Sequence, residues 1–200
     1  MAREVFTSEN AFRGDYLATK FGSDPGLPKI FEKIRTNLES LADPETDSSD
    51  AKDFVLKFLS TRAETYEQPI TSFGDGKFSN VYSYFRSKNG YVGECNLISA
   101  PLNYRASITY LLTFVALMDK YEPDWLSRDL VILFYEQSDY NTAVKEFLDA
   151  YYHKGLSRLR GRCGYLRQSF PLVIKDNDFT KISLMLEGVN SQLSDIDFYD

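Results

Sequence analysis

One histidine, two cysteines and a handful of strand-end carboxylates and amides are the groups in this sequence with the means to do chemistry. A zinc ion needs several His, Cys or carboxylate ligands held together. The single histidine, His153, closes the run Tyr151-Tyr152-His153 and reads as a residue at the end of a helix rather than as a ligand. Any Ser–His–acid or Cys–His arrangement would have to use it, and no nucleophile lies in a recognisable motif, such as the Gly-X-Ser-X-Gly elbow. An all-oxygen site would suit Mg or Ca better than Zn, and no EF-hand loop, Walker loop or glycine-rich dinucleotide turn is present. The expectation is no catalytic residue, no metal and no cofactor. Cys95 and Cys163 are too few for a disulfide scaffold. Two half-buried thiols are the simpler reading, and a single pairing in an oxidising compartment is the alternative.

The remaining polar groups cluster where α/β sheets bind ligands, at the carboxyl ends of strands. Glu136 follows the apolar run that ends at Tyr135. Pro101-Leu-Asn103-Tyr104-Arg105 follows the preceding strand, so the two loops form one cleft if those strands are neighbours. The segment Glu187-Gly-Val-Asn190-Ser-Gln192-Leu-Ser-Asp195-Ile-Asp197 offers amides and carboxylates to a polar ligand. The bland readings are an exposed loop residue for Glu136 and a hydrogen-bonded turn for 187–197. The expected binding residues are Asn103, Tyr104, Glu136, Glu187, Asn190, Gln192 and Asp195.

The elements that must position these groups are legible from periodicity. Residues 1–26 form an arm with turn chemistry at Arg13-Gly14-Asp15 and Gly22–Gly26, and 27–200 form one domain. Leu27, Ile30, Phe31, Ile34, Leu38 and Leu41 fall at helical spacing, with Pro28 in the first turn. The acidic run Asp43–Asp50 breaks that helix, and Asp50 caps a second one carrying Phe54, Val55, Phe58 and Leu59. Thr65–Phe73 and Asn80–Arg86 read as strands. Lys88-Asn89-Gly90 is a hairpin turn leading into a returning strand, Tyr91–Ala100. A helix over Ala106–Met118, a strand over Asp129–Tyr135, a helix over Thr142–Tyr152 and strands over Gln168–Ile174 and Lys181–Leu186 follow. This order predicts an α/β fold with a mixed, mostly parallel sheet flanked by helices.

Composition narrows the function classes. Hydrophobic residues make up 43% and aromatics 15%, enough for a substantial core. A net charge of −6 disfavours a general nucleic-acid grip. The local exception, Lys154 to Arg162 followed by Arg167, reads more simply as a solvated loop than as an anion site. No apolar stretch is long enough to span a bilayer, and Met1 opens no signal peptide.

Several segments resemble a known family. Glu187–Asp197 is similar to the Glu-Gly-Leu-Asn-Gly-Gln-Leu-Pro-Asn-Leu-Asp segment of the GPI-anchor attachment subunit of GPI transamidase. Asn80-Val-Tyr82, strand-ending Pro101, Trp125 to Glu136, Phe147-Leu-Asp-Ala-Tyr151 and Ser8-Glu-Asn-Ala11 resemble that family's segments in the same order. The departures are Ser191 and Ser194 for a Gly and a Pro, and Phe147 for a Trp. The resemblance implies a fold like that of the co-catalytic zinc aminopeptidases, whose ligands are two His, two Asp and a Glu, with a second Glu as base. At the first ligand position this chain has Pro101-Leu-Asn103, and the Glu-Glu pair becomes Glu136-Gln137. The implied role is a non-catalytic domain on the lumenal side of the endoplasmic reticulum membrane. Its implied partners are other transamidase subunits, including a caspase-like cysteine protease, together with GPI lipid and proprotein. Membrane attachment would come through segments outside this chain, which reads as a fragment or a shortened form. Two rivals stand: a carboxylate-based metallo-aminopeptidase or peptide-bond-forming enzyme, and an unrelated α/β binding module.

Overall fold

The computed structural model describes residues 25–44, 47–70, 78–87, 94–121, 126, 128–136, 140–153, 159–161, 164–174 and 183–184. The expected arm and the polar segment 187–197 therefore lie outside the described residues, apart from Pro25 and Gly26.

Two amphipathic helices come first. Helix α1 (Leu27–Glu39) has Pro28 in its first turn, where a missing N–H costs no helical bond, and it buries Ile34 and Leu38. Helix α2 (Ser49–Ser60) buries Ala51, Val55 and Leu59, a stripe at four-residue spacing. Its cap corrects the expectation. Ser48 is the N-cap residue, and Asp50 sits inside the first turn, where its charge complements the helix dipole.

The strands are β1 (Glu64–Pro69), β2 (Ser79–Phe85), β3 (Glu94–Pro101), β4 (Asp129–Tyr135), β5 (Tyr165–Val173) and the short β6 (Ser183–Leu184). Helix α3 (Arg105–Tyr121) joins β3 to β4, and α4 (Tyr140–His153) lies between β4 and β5. The sheet order is β1-β2-β4-β3-β5-β6. β4 is parallel to β3 and β3 to β5, whereas β1–β2, β2–β4 and β5–β6 are antiparallel. The parallel share is smaller than expected, because β2 turns back from β1 and keeps its reversed direction beside β4. The expected hairpin between β2 and β3 does not form. β4 inserts between them, and residues 88–93 lie outside the described residues.

Side chains on β4 alternate between two cores. Leu130, Ile132 and Phe134 face α1, α2 and α3, together with Val81, Ala100, Leu102, Ile108, Leu112 and Val115. Val131, Leu133 and Tyr135 face α4, with Tyr82, Tyr84, Cys95, Leu97, Ala143 and Phe147. Burial of β4 on both faces explains its unbroken apolar sequence. Each large side chain so buried contributes about 1.5–3 kcal/mol. The fold is thus α/β, a mixed sheet with helices on both faces. Among the described residues no helix is long and apolar enough to cross a membrane.

Candidate functional site

Because β3 and β4 are parallel neighbours with Pro101 opposite Tyr135, the loops after them leave the sheet side by side. The Leu102 N–H donates to the Tyr135 carbonyl at 2.8 Å, extending the ladder by one bond. Asn103 and Glu136 follow directly. The condition set by the sequence, that the two strands be adjacent, is met. Asn103, Tyr104 and Glu136 lie at one end of the sheet.

The Asn103 side chain carries an acceptor, Oδ1, that is buried and has no hydrogen-bond partner among the described residues. A buried polar atom left unpaired costs about 1–3 kcal/mol. The Tyr104 carbonyl accepts the Ile108 N–H at 3.1 Å and so starts α3. From the first residue of α3, Arg105 Nη2 donates to the carbonyls of Leu41 at 3.2 Å and Ala42 at 3.3 Å. This ties the strand-end loop to the exit of α1. The buried Nε of Arg105 has no partner among the described residues.

Glu136 is not the exposed loop residue that its position after a strand suggested. It is partly buried, and both carboxylate oxygens accept hydrogen bonds: Oε1 from the Ser48 hydroxyl, Oε2 from the Ser79 N–H at 3.2 Å. Ser48 spends its hydroxyl here and makes no side-chain cap bond to its own helix. The network continues outward. The Ser79 hydroxyl donates to Glu67 Oε1 at 2.5 Å, and Lys52 Nζ donates to Glu67 Oε1 at 3.0 Å and to Ser79 Oγ at 3.1 Å. The Ser79 hydroxyl, helped by Lys52, holds the Glu67 carboxyl below its ordinary pKa against the opposing effect of partial burial. Glu136 thus links the start of α2, the start of β2 and the end of β4.

Ser48, Ser79, Lys52 and Glu67 were not visible as site residues in the sequence. Ser48 and Glu136 are 88 positions apart, and no local pattern announces such a pairing. Glu187, Asn190, Gln192 and Asp195 lie outside the described residues, as do Gln137, Cys163 and the side chain of His153. Cys95 is buried, with its sulfur 3.3 Å from the Tyr151 hydroxyl and 3.5 Å from the Gly164 carbonyl.

The described residues do not fit a co-catalytic zinc centre. Asn103 offers a neutral amide oxygen where a metal ligand would be needed, and Glu136 has both oxygens engaged by protein donors. Among the described residues no group of three or more His, Cys, Asp or Glu is placed to hold a metal ion. Among the described residues the two strand ends carry an unpaired amide acceptor on Asn103, a buried Arg105 Nε without a partner and the doubly engaged Glu136 carboxylate.

Comparison with known proteins agrees with the sequence resemblance. Residues 77–200, more than half of the chain, match the family described as Gaa1-like, GPI transamidase component. No curated protein sequence matches. Among solved structures the chain is similar to LapB from Legionella pneumophila, with a TM-score of 0.54 and 12% identity over 83% of this chain and 53% of that one. That match supports the fold. Other matches are a putative Zn-dependent exopeptidase from Bacteroides vulgatus (TM-score 0.43, 18% identity, 62% of this chain and 49% of that one) and a leucine aminopeptidase precursor from Bacteroides thetaiotaomicron (0.41, 13%, 60% and 51%). The chain spans about half the length of these structures. With the family model covering β2 to the last residue, the chain belongs to the Gaa1-like family of GPI transamidase components.

Proposed function

We propose that this domain serves GPI transamidase as a non-catalytic, aminopeptidase-like module on the lumenal side of the endoplasmic reticulum membrane. It uses the ends of β3 and β4 to hold another subunit, the proprotein or the GPI glycan, while a separate caspase-like subunit does the chemistry. One observation carries the reading: the carboxylate of Glu136 is engaged at both oxygens by Ser48 and Ser79, while Asn103, after the adjacent strand, keeps a buried acceptor without a partner among the described residues. A carboxylate held in this way supports the fold instead of activating water or a metal. An open amide acceptor suits a neutral donor such as a peptide N–H or a sugar hydroxyl. Glu187, Asn190, Gln192 and Asp195 are proposed to complete the binding surface.

The test uses the full-length protein purified from membranes. Stoichiometric metal is measured, cleavage of aminopeptidase substrates is assayed, and co-purification of the caspase-like subunit is scored for wild type and Asn103→Leu. The expected result is no bound zinc, no peptidase activity, and a complex or substrate retention weakened by Asn103→Leu. Tightly bound zinc together with aminopeptidase turnover would overturn the reading.

A further inference from the structure

The connection between α1 and α2 is fastened at both ends to the strand-end cleft. After α1 the chain passes through 41–48 and enters α2 at Ser49. At the near end, Arg105 Nη2 donates to the carbonyls of Leu41 and Ala42. Arg105 opens α3, just past Leu102, whose N–H continues the ladder beyond β3. At the far end, the Ser48 hydroxyl donates to Glu136, the residue after β4. β3 and β4 are parallel neighbours with Pro101 opposite Tyr135. The connection therefore runs from the end of one strand to the end of the next.

Its anchoring is uneven. Leu41 packs against the core beneath α1, α2 and α3, and Pro44 is buried. Ala42, Asp43 and Asp47 are exposed. The Asp47 N–H donates to the Asp43 carbonyl at 2.9 Å, and the Ser49 N–H donates to Asp47 Oδ1 at 2.9 Å. These bonds close a turn within the connection itself. Its links to the strand ends are made by side chains, those of Arg105, Ser48 and Glu136. A segment held in this way opens at a lower free energy than the sheet it lies against. Ser48 is the N-cap residue of α2 yet makes no side-chain cap bond. Once released from Glu136, its hydroxyl can accept an N–H of the first helical turn, which offsets part of the lost bond. In the loop to which the connection is tied, Asn103 Oδ1 and Arg105 Nε are shut off from solvent. Loops at strand ends are where ligands enter α/β sheets.

We infer that 41–48 is a strap that closes the strand-end cleft and lifts to admit a ligand to Asn103. Arg105 and Ser48 are its clasps. They are positioning residues: they act on the strap, and the strap sets access to the site. Such regulation presupposes that the cleft binds a ligand, the reading proposed above. Its consequence is that apparent affinity falls with the fraction of molecules whose strap is open, so weakening a clasp raises it.

The experiment reads solvent access at position 103 without any partner. Asn103→Cys is introduced into the full-length protein purified from membranes, and maleimide labelling of each cysteine is followed by mass spectrometry. Cys95, fully buried in the core beneath α4, is the internal standard for an intact fold. Asn103→Cys is compared alone, with Arg105→Met, with Ser48→Ala, and with both. The control adds Lys29→Gln and Lys33→Gln, at exposed positions of α1. Labelling at 103 is expected to quicken about tenfold when either clasp is removed. It should quicken further with both removed and stay unchanged in the control, while Cys95 stays unlabelled throughout. Equal labelling at 103 with and without the clasps would overturn the inference. So would labelling of Cys95 in step with 103, because the bonds would then hold the whole fold and not a strap. If Asn103→Leu retains the caspase-like subunit as well as wild type does, the binding reading of the cleft falls, while the labelling rates still decide whether the strap opens.

Discussion

Removing the Glu136 carboxylate tests whether it is a structural link or a reactive group. In Glu136→Ala, the Ser48 hydroxyl and the Ser79 N–H both lose their acceptor. Hydrogen bonds to a charged group contribute about 1.5–3 kcal/mol each. Ser48 is 9% exposed and Ser79 4%, but Glu136 itself is only partly buried, so water recovers part of the loss. A net loss of about 2–3 kcal/mol is expected. With a urea dependence of about 2 kcal/mol/M, the unfolding midpoint falls by about 1–1.5 M with an unchanged slope. Glu136→Gln keeps one acceptor and should lose about 1 kcal/mol. Ser48→Ala should cost about 1–2 kcal/mol, and because it shares a bond with Glu136, the double variant should fall short of the sum by about 1 kcal/mol. Urea titrations of the wild type and these four variants check this pattern. If Glu136→Ala unfolds at the wild-type midpoint, or if the two losses simply add, the carboxylate does not tie α2 to the sheet and the argument for its structural role collapses.

Three further outcomes follow from the same geometry. Gly161→Ala forces a side chain into the Tyr84 ring at a positive φ and should cost about 2 kcal/mol or more, read from the same titration. Phe147→Ala empties a fully buried position packed edge-on against Tyr82, with ring centroids 5.4 Å apart, and should cost about 3–5 kcal/mol; a loss under about 1 kcal/mol would show that α4 is not the lid of this core. Stability should also depend on pH at both extremes. The folded pKa of Glu67 is depressed, chiefly by Ser79, so its contribution is present above the ordinary value of about 4.3 and is lost as pH falls through the folded value. Ser79→Ala should flatten that acid limb. Burial raises the folded pKa of Tyr82, so stability is full below about pH 10 and declines as pH rises towards the folded value, and Tyr82→Phe should remove that decline.

How much of this was legible in the sequence depended on the range of the interaction. β4 was readable to the residue, because a strand buried on both faces must be apolar throughout and Asp129-Leu-Val-Ile-Leu-Phe-Tyr135 is. Spacing picked out Ile34 and Leu38 of α1 and Val55 and Leu59 of α2, though not the small buried Ala51. The hairpin between β2 and β3 was misread, because Asn89-Gly90 is a local signal whereas strand order is decided by which partner covers most apolar surface. Asp50 was taken for the cap for a similar reason: acidic residues favour helix starts, but the actual cap, Ser48, is fixed by a carboxylate from across the sheet. At the site, the position of Asn103 and Glu136 followed from strand ends and parallel pairing. The partners of Glu136 did not, since Ser48 and Ser79 come from elements that only the folded sheet brings near it.

The insertion of β4 between β2 and β3 also constrains how the chain folds. β2 and β3 leave the ribosome one after the other, with their edges free to pair and a hairpin-prone turn between them, while the strand that must separate them is still unmade. Any early β2–β3 hairpin has to open before Asp129–Tyr135 can enter. Closure of the sheet therefore waits for α3 to form and carry the chain across, a late step built on contacts distant in sequence, which is where folding is slow and exposed strand edges invite aggregation. Substitutions at positions 89–90 that raise the sequence's hairpin propensity should slow folding more than they change native stability, a kinetic cost written into the strand order itself.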